Sequence, residues 1–197
     1  MRLFLASASP RRVEIMAMMP FPFEQYVPVF DEREYEKNVI AGGISSPKEI
    51  TIEVAKGKAI SAYQQLRERY PEENIVVLSA DTIVLLNDKI YGKGENPQKA
   101  MQMLTELNNK MHEVISAVWI LGESFEKSIV NTSKVYFADS DETLLKRYIT
   151  EYQPFDKAGA YGIQDGGALL VEKIEGSYHN IMGLPLRQVY DVLEKIM

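Results

Sequence analysis

Ile75-Val76-Val77-Leu78-Ser79-Ala80-Asp81-Thr82-Ile83-Val84-Leu85-Leu86 is the stretch that decides the fold of this chain. Its first four residues are a continuous apolar run rich in β-branched side chains, the pattern of a strand buried on both faces. Ser79 to Thr82 then bring polar groups to the carboxyl end of that strand. Beyond them, Ile83 to Leu86 and Ile90-Tyr91 flank Asn87-Asp88, which reads as a hairpin. In open α/β sheets ligands sit outside the carboxyl ends of strands. Asp81 there can bind a divalent cation, accept a proton from an attacking water, or simply cap the turn.

Working outward, Arg2 to Ala6 is a second short buried strand, and Ser9-Pro10 opens a helix with Ser as N-cap and Pro at the first helical position. Phe21 to Val29 is predicted as a strand, and Glu34 to Ser46, with Gly42 and Gly43, as a surface loop. Ser46-Pro47-Lys48-Glu49 has the form of a capping box opening a long helix to about Arg69. Ile52, Ala55, Ala59, Ala62 and Leu66 form its apolar stripe. A helix from Asn96-Pro97 to Asn108-Asn109 follows. Glu113 to Leu121 and Ser128 to Phe137 read as long paired strands, and Ser140-Asp141-Glu142 caps a helix through Tyr152. Short strands are expected at Ala168 to Val171 and Asn180 to Met182, and a last helix from Pro185. The class is α/β with a mixed sheet flanked by helices.

The 197 residues are 46% hydrophobic and 25% charged, enough to bury a core. Twenty-two basic against 28 acidic residues give a net charge of −6, a poor match to a nucleic-acid polymer. With no Cys there is no disulfide, thiol nucleophile or Cys-ligated metal. No window is apolar for long enough to span a membrane, and the apolar N-terminal run is too short for a signal peptide. The expectation is a soluble cytoplasmic protein without a membrane partner. The chain holds no Walker loop, no complete dinucleotide fingerprint after Gly92-Lys93-Gly94, no zinc-protease helix at His112-Glu113 and no nucleophile elbow.

What remains is a set of polar groups suited to a phosphate chain. Ser7-Ala8-Ser9-Pro10-Arg11-Arg12 joins a strand end to a helix start, where backbone N–H groups and the helix dipole meet two hydroxyls and two guanidiniums. The alternative is an ordinary N-cap with two solvated arginines. Lys58 on the long helix and Lys93 in its glycine turn are further cations, or solvated surface lysines. Glu32, beside Asp31, is a second metal carboxylate or part of a charged loop. Asp156 to Gly167 is glycine-rich and lets a backbone approach a planar base, with Gln164 reading its edge, or else forms an irregular turn region. His112 and His179 read as structural.

In this order and spacing, five motifs resemble the Maf family. They are Leu5 to Arg12, Ala55-Lys56-Gly57-Lys58-Ala59, Ala80-Asp81-Thr82-Ile83-Val84, Asp156 to Gln164, and Gly176 to Leu186, and they cover nearly the whole chain. The resemblance implies a fold like that of the inosine triphosphatases: one domain over 1–197, an elongated mixed sheet, two lobes around a central cleft. It implies hydrolysis of the α–β phosphoanhydride of a nucleoside triphosphate, with Mg²⁺ or Mn²⁺. It further implies Asp81 as proton acceptor, Asp81 and Glu32 as metal carboxylates, and Ser7, Ser9, Arg12, Lys58 and Lys93 as phosphate-binding residues. Arg11, Thr82 and Gln164 match the specificity positions of the branch that prefers dTTP and UTP. The alternatives are the 7-methyl-GTP branch, or a nucleotide-binding regulator of septum formation with little catalysis. Tyr and Met residues on the long strands would suit a homodimer. Two departures stand out: Gly94 replaces the usual Pro after Gly92-Lys93, which loosens that turn, and Asp165 follows Gln164 where Gly is common.

Overall fold

The computed structural model describes residues 1–197. Seven strands and seven α-helices make up the chain: β1 (Arg2–Ala6), α1 (Pro10–Met16), β2 (Phe23–Tyr26), α2 (Glu32–Ala41), α3 (Pro47–Arg69), β3 (Ile75–Leu86), β4 (Lys89–Tyr91), α4 (Pro97–Leu107), β5 (Met111–Leu121), β6 (Glu126–Phe137), α5 (Glu142–Tyr152), a 3₁₀ turn (Gly166–Leu170), β7 (Val171–Glu175), α6 (Tyr178–Met182) and α7 (Leu186–Ile196). The strands form one mixed sheet in the order β2-β1-β3-β5-β6-β7, with β4 paired to β3. β1 runs parallel to both β2 and β3, while β3 with β4 and β6 with β7 are antiparallel. No helix is long and apolar enough to cross a membrane.

The chain divides into two compact units. Unit 1 comprises 1–81, 116–131 and 183–197; unit 2 comprises 82–115 and 132–182. In unit 1, α3 lays Ala59, Ala62 and Leu66 against Phe4 and Ala6 of β1 and Ile75 and Val77 of β3. The small residues of the α3 stripe let helix and sheet approach closely. In unit 2, α4 (Ala100, Met103, Leu104, Leu107) and α5 (Leu145, Tyr148, Ile149) share a core with Val84, Val114, Val135 and Phe137 from the sheet.

Several local expectations need correction. β3 does not stop at Leu78 but continues to Leu86, so Ser79 to Thr82 lie within a strand rather than beyond its end. The hairpin at Asn87-Asp88 is real, with φ of 50° and 64°, as a two-residue primed turn requires. The segment read as a loop after Glu34 is mostly α2, started by Asp31, whose side chain accepts from the Arg33 and Glu34 amides. α3 begins where the capping box placed it, yet Ser46 makes no side-chain cap bond. The strand expected at Asn180 to Met182 is α6. Residues 166–170 coil as a 3₁₀ turn because Asp165 caps the Gly167 amide, and only Val171 starts a strand.

Candidate active site

Unit 1 assembles seven of the sequence-designated residues: Ser7, Ser9, Arg11, Arg12, Glu32, Lys58 and Asp81. The organising atom is the main-chain oxygen of Ala80. Arg12 Nη1 donates to it at 2.8 Å and Lys58 Nζ at 3.2 Å. A strand interior normally uses its carbonyls in the ladder, so two cations converging on one oxygen mark a place where β3 faces polar side chains. The residue that follows is Asp81, half-buried, whose charge attracts the Arg12 guanidinium.

Each cation is anchored a second time. Arg12 Nε donates to the Gly183 carbonyl at 2.9 Å, and Nη1 also reaches Ser7 Oγ at 3.3 Å. Burial pulls the Arg12 pKa down, and attraction to Asp81 and Glu32 opposes that. Lys58, its side chain only 7% exposed, lies 3.0 Å from Glu32 Oε1. Ser79 Oγ donates to the Ala55 carbonyl of α3, tying the helix that carries Lys58 to the strand that carries Asp81.

Ser7 is buried, and its Oγ accepts from both Arg12 and the Ser9 amide, the latter at 3.2 Å. Two accepted bonds leave the hydroxyl hydrogen available to an outside oxygen. Ser9 caps nothing with its side chain, so at α1 the hydroxyl at work is that of Ser7. Arg11 is half-buried in the first turn of α1.

Glu32 owes its position to a contact that the motifs did not disclose. α2 buries no residue fully, but Tyr35 rests on α3 directly over Gly57; a Cβ there would come within 2.5 Å of the ring. Gly57, between Lys56 and Lys58, is therefore the seat of α2. One turn beyond Glu32, Glu36 is half-buried, and its pKa is raised by burial and then by repulsion from Asp81 and Glu32. Glu36 lies outside every motif because the sequence reads this segment as a loop; a spacing of four on a helix puts it on the Glu32 face. Glu36 senses the other two carboxylates, but the three form no ready ligand cluster.

Unit 2 holds Thr82, Lys93 and Gln164. The Lys93 turn is not loose: Lys93 forms a β-bridge with Ala158, and the Gly159 amide reaches the Tyr91 and Gly92 carbonyls. Gly94 is buried, and a Cβ on it would meet the Ala160 methyl at 3.0 Å. Close packing thus replaces the stiffness of Pro. The Lys93 side chain and Gln164 are exposed, and Thr82 is half-buried. His112 is structural as read: its Nε2 lies 2.8 Å from the buried Tyr161 hydroxyl, and its ring packs edge-on against Phe137.

The model of the Maf-like protein family matches residues 2–196. A dTTP/UTP pyrophosphatase of Thermosipho melanesiensis is 36% identical over 193 residues, covering 98% of this chain and 97% of that protein. Those of Thermotoga maritima and Dictyoglomus thermophilum are 37% and 38% identical, each over 98% of this chain and over 88% and 95% of their own lengths. The Ham1 protein of Staphylococcus aureus aligns over the full length of both chains with 12% identity and a TM-score of 0.49.

Proposed function

This chain belongs to the Maf family, and we propose on that footing that it is a pyrophosphatase of dTTP and UTP, cutting the bond between the α- and β-phosphates. The observation that carries the chemistry is the pair of cations, Arg12 and Lys58, held on the Ala80 carbonyl next to Asp81 in the chain.

A triphosphate brings about four negative charges, and water must reach phosphorus through them. Arg12 and Lys58 offset that charge from positions already fixed by Ser7, Gly183 and Glu32, so little reorganisation accompanies the reaction. The Ser7 hydroxyl donates its remaining hydrogen to a phosphate oxygen, with Ser9 and Lys93 as further phosphate contacts. Asp81 takes the proton from water as its oxygen bonds to the α-phosphorus. The bond from that phosphorus to the bridging oxygen breaks, and pyrophosphate leaves with the electron pair. The products are the nucleoside monophosphate and pyrophosphate.

A divalent cation suits the donor set, which is all oxygen; the Glu36 pKa is raised first by burial and then by the neighbouring charges of Asp81 and Glu32. Asp81 and Glu32 would hold it. When bound, Mg²⁺ or Mn²⁺ supplies charge neutralisation on the phosphates. Base choice falls to Gln164, whose amide offers one donor and one acceptor to the O4/N3 edge of uracil or thymine. Arg11 and Thr82 complete the specificity set.

The test is pyrophosphate release from dTTP, UTP, CTP, GTP, ITP and 7-methyl-GTP with Mg²⁺. Release from dTTP and UTP ahead of the rest is expected. A lead for 7-methyl-GTP would overturn the base assignment, and silence on all six the hydrolysis.

A further inference from the structure

In unit 2, Gln164 sits in a segment whose backbone is gripped on both sides by one tyrosine and one aspartate. Tyr148 on α5 is 2% exposed; its hydroxyl accepts the Gly162 amide at 3.0 Å and donates to Asp165 Oδ1 at 3.3 Å. The same carboxylate oxygen accepts the Gly167 amide at 3.0 Å, and Oδ2 lies 3.8 Å from Lys157 Nζ. The glycines are part of the device. A Cβ on Gly162 would fall 2.5 Å from Asp165 Oδ2, and one on Gly167 would fall 2.5 Å from the Gly162 carbonyl. Upstream, Tyr161 is held by His112, and Ile163 is buried. Between these fixed points the only exposed side chain is Gln164.

We propose that Tyr148 and Asp165 are positioning residues for base selectivity: together they hold the Gly162–Gly167 backbone so that the Gln164 amide meets the pyrimidine edge at hydrogen-bonding angle. The proposal rests on the reading of Gln164 as the base reader. Hydrogen bonds weaken steeply with misalignment, so a rotation of this backbone that turns the Gln164 amide is felt in substrate affinity. Asp165, a departure from the glycine common in the family, is the acceptor that completes the grip in this chain.

The experiment is steady-state hydrolysis of dTTP, UTP and CTP by Tyr148→Phe, Asp165→Ala, Asp165→Asn and Gln164→Ala, with a thermal melt of each. Tyr148→Phe and Asp165→Ala are expected to raise KM for dTTP and UTP by about tenfold, the loss of one good hydrogen bond, with kcat within about twofold. Their preference over CTP should fall by a similar factor. Asp165→Asn keeps the Oδ1 acceptor and should keep the wild-type profile. If Gln164→Ala leaves the profile unchanged, the base-reading assignment fails. If Gln164→Ala shifts it while Asp165→Ala and Asp165→Asn behave alike, or Tyr148→Phe alters only the melting temperature, the positioning role is overturned. Should Tyr148→Phe fail to fold, the two Asp165 variants decide the matter alone.

Discussion

Lys58 Nζ lies 3.0 Å from Glu32 Oε1 while it donates to the Ala80 carbonyl, so a lysine from the middle of α3 bridges the start of α2 to the residue before Asp81. That pairing makes Lys58 useful and dispensable in different respects. A buried ammonium is costly to desolvate, and since Glu32 is exposed to water and the Ala80 carbonyl keeps Arg12, exchange of Lys58 for an apolar side chain of similar length strands no buried charge. A cation fixed where phosphate charge must be neutralised is worth about 3–4 kcal/mol in the transition state.

Lys58→Met is therefore expected to lower turnover of dTTP by about two to three orders of magnitude with the melting temperature unchanged or higher. Kinetics and calorimetry on the same preparation check this. A stability loss matching the activity loss would make Lys58 a structural residue only.

The elements legible in the sequence were those whose signal is local. β1, α3, α4, α5 and the Asn87-Asp88 hairpin each carry an apolar period or a turn pair of their own. α2 escaped because it has no buried stripe; Asp31 caps it, and Tyr35 seated on Gly57 holds it, a partnership 22 residues long in sequence that no period discloses. The end of β3 was misplaced because Ser79-Ala80-Asp81 breaks the apolar run while the backbone goes on pairing. Asn180 to Met182 forms α6 rather than a strand, and its buried Asn180 serves distant groups that no local pattern shows, donating to the Val114 carbonyl and Ser133 Oγ. The site residues could be named from motif order, but not their links: nothing in the spacing says that Arg12 and Lys58 share one carbonyl.

Asp81→Asn removes the proton acceptor and should cut turnover by at least about a hundredfold. It also removes a like charge facing Glu36, whose carboxyl is raised by burial first and then by Asp81 and Glu32. The folded Glu36 binds protons more readily than the unfolded chain, so its contribution favours the fold at low pH and fades as pH rises through the folded pKa. In Asp81→Asn the Glu36 titration should move down in pH, as should that of the wild type on adding Mg²⁺. Carbon-detected NMR of labelled glutamate side chains reads both. An unmoved Glu36 would mean that the carboxylates do not share a site.

His112 gives a pH dependence of opposite sign. Burial lowers its pKa to about 4, below the ordinary 6.5, so the folded chain resists the proton that the unfolded chain takes. The stability it contributes is complete above pH 6.5 and is lost as pH falls from there to 4, up to about 3 kcal/mol at 1.36 kcal/mol per unit. Urea unfolding at pH 7, 5.5 and 4.5 should show this slope. His112→Phe, less stable at pH 7 because it strands the Tyr161 hydroxyl, should flatten it. An equal slope in both proteins would place the acid sensitivity elsewhere.

Gly57 offers the most discriminating substitution, because helix propensity and packing pull in opposite directions. Within α3, Gly57→Ala should gain about 1 kcal/mol from propensity alone. The new Cβ, however, would stand 2.5 Å from Tyr35 Cζ and under 3 Å from two neighbouring ring carbons, and a ring cannot fold away as the tip of a flexible chain can. Overpacking of this kind costs about 1–3 kcal/mol. The ring must lift, and α2 with it, carrying Glu32 away from Lys58. Gly57→Ala is thus expected to lose several-fold in turnover with little or negative change in stability, although it improves the helix. Adding Tyr35→Leu, which leaves room for the methyl, should restore stability beyond wild type and recover part of the turnover. If Gly57→Ala alone is both more stable and fully active, Tyr35 is not what seats α2, and the position of Glu32 has another cause.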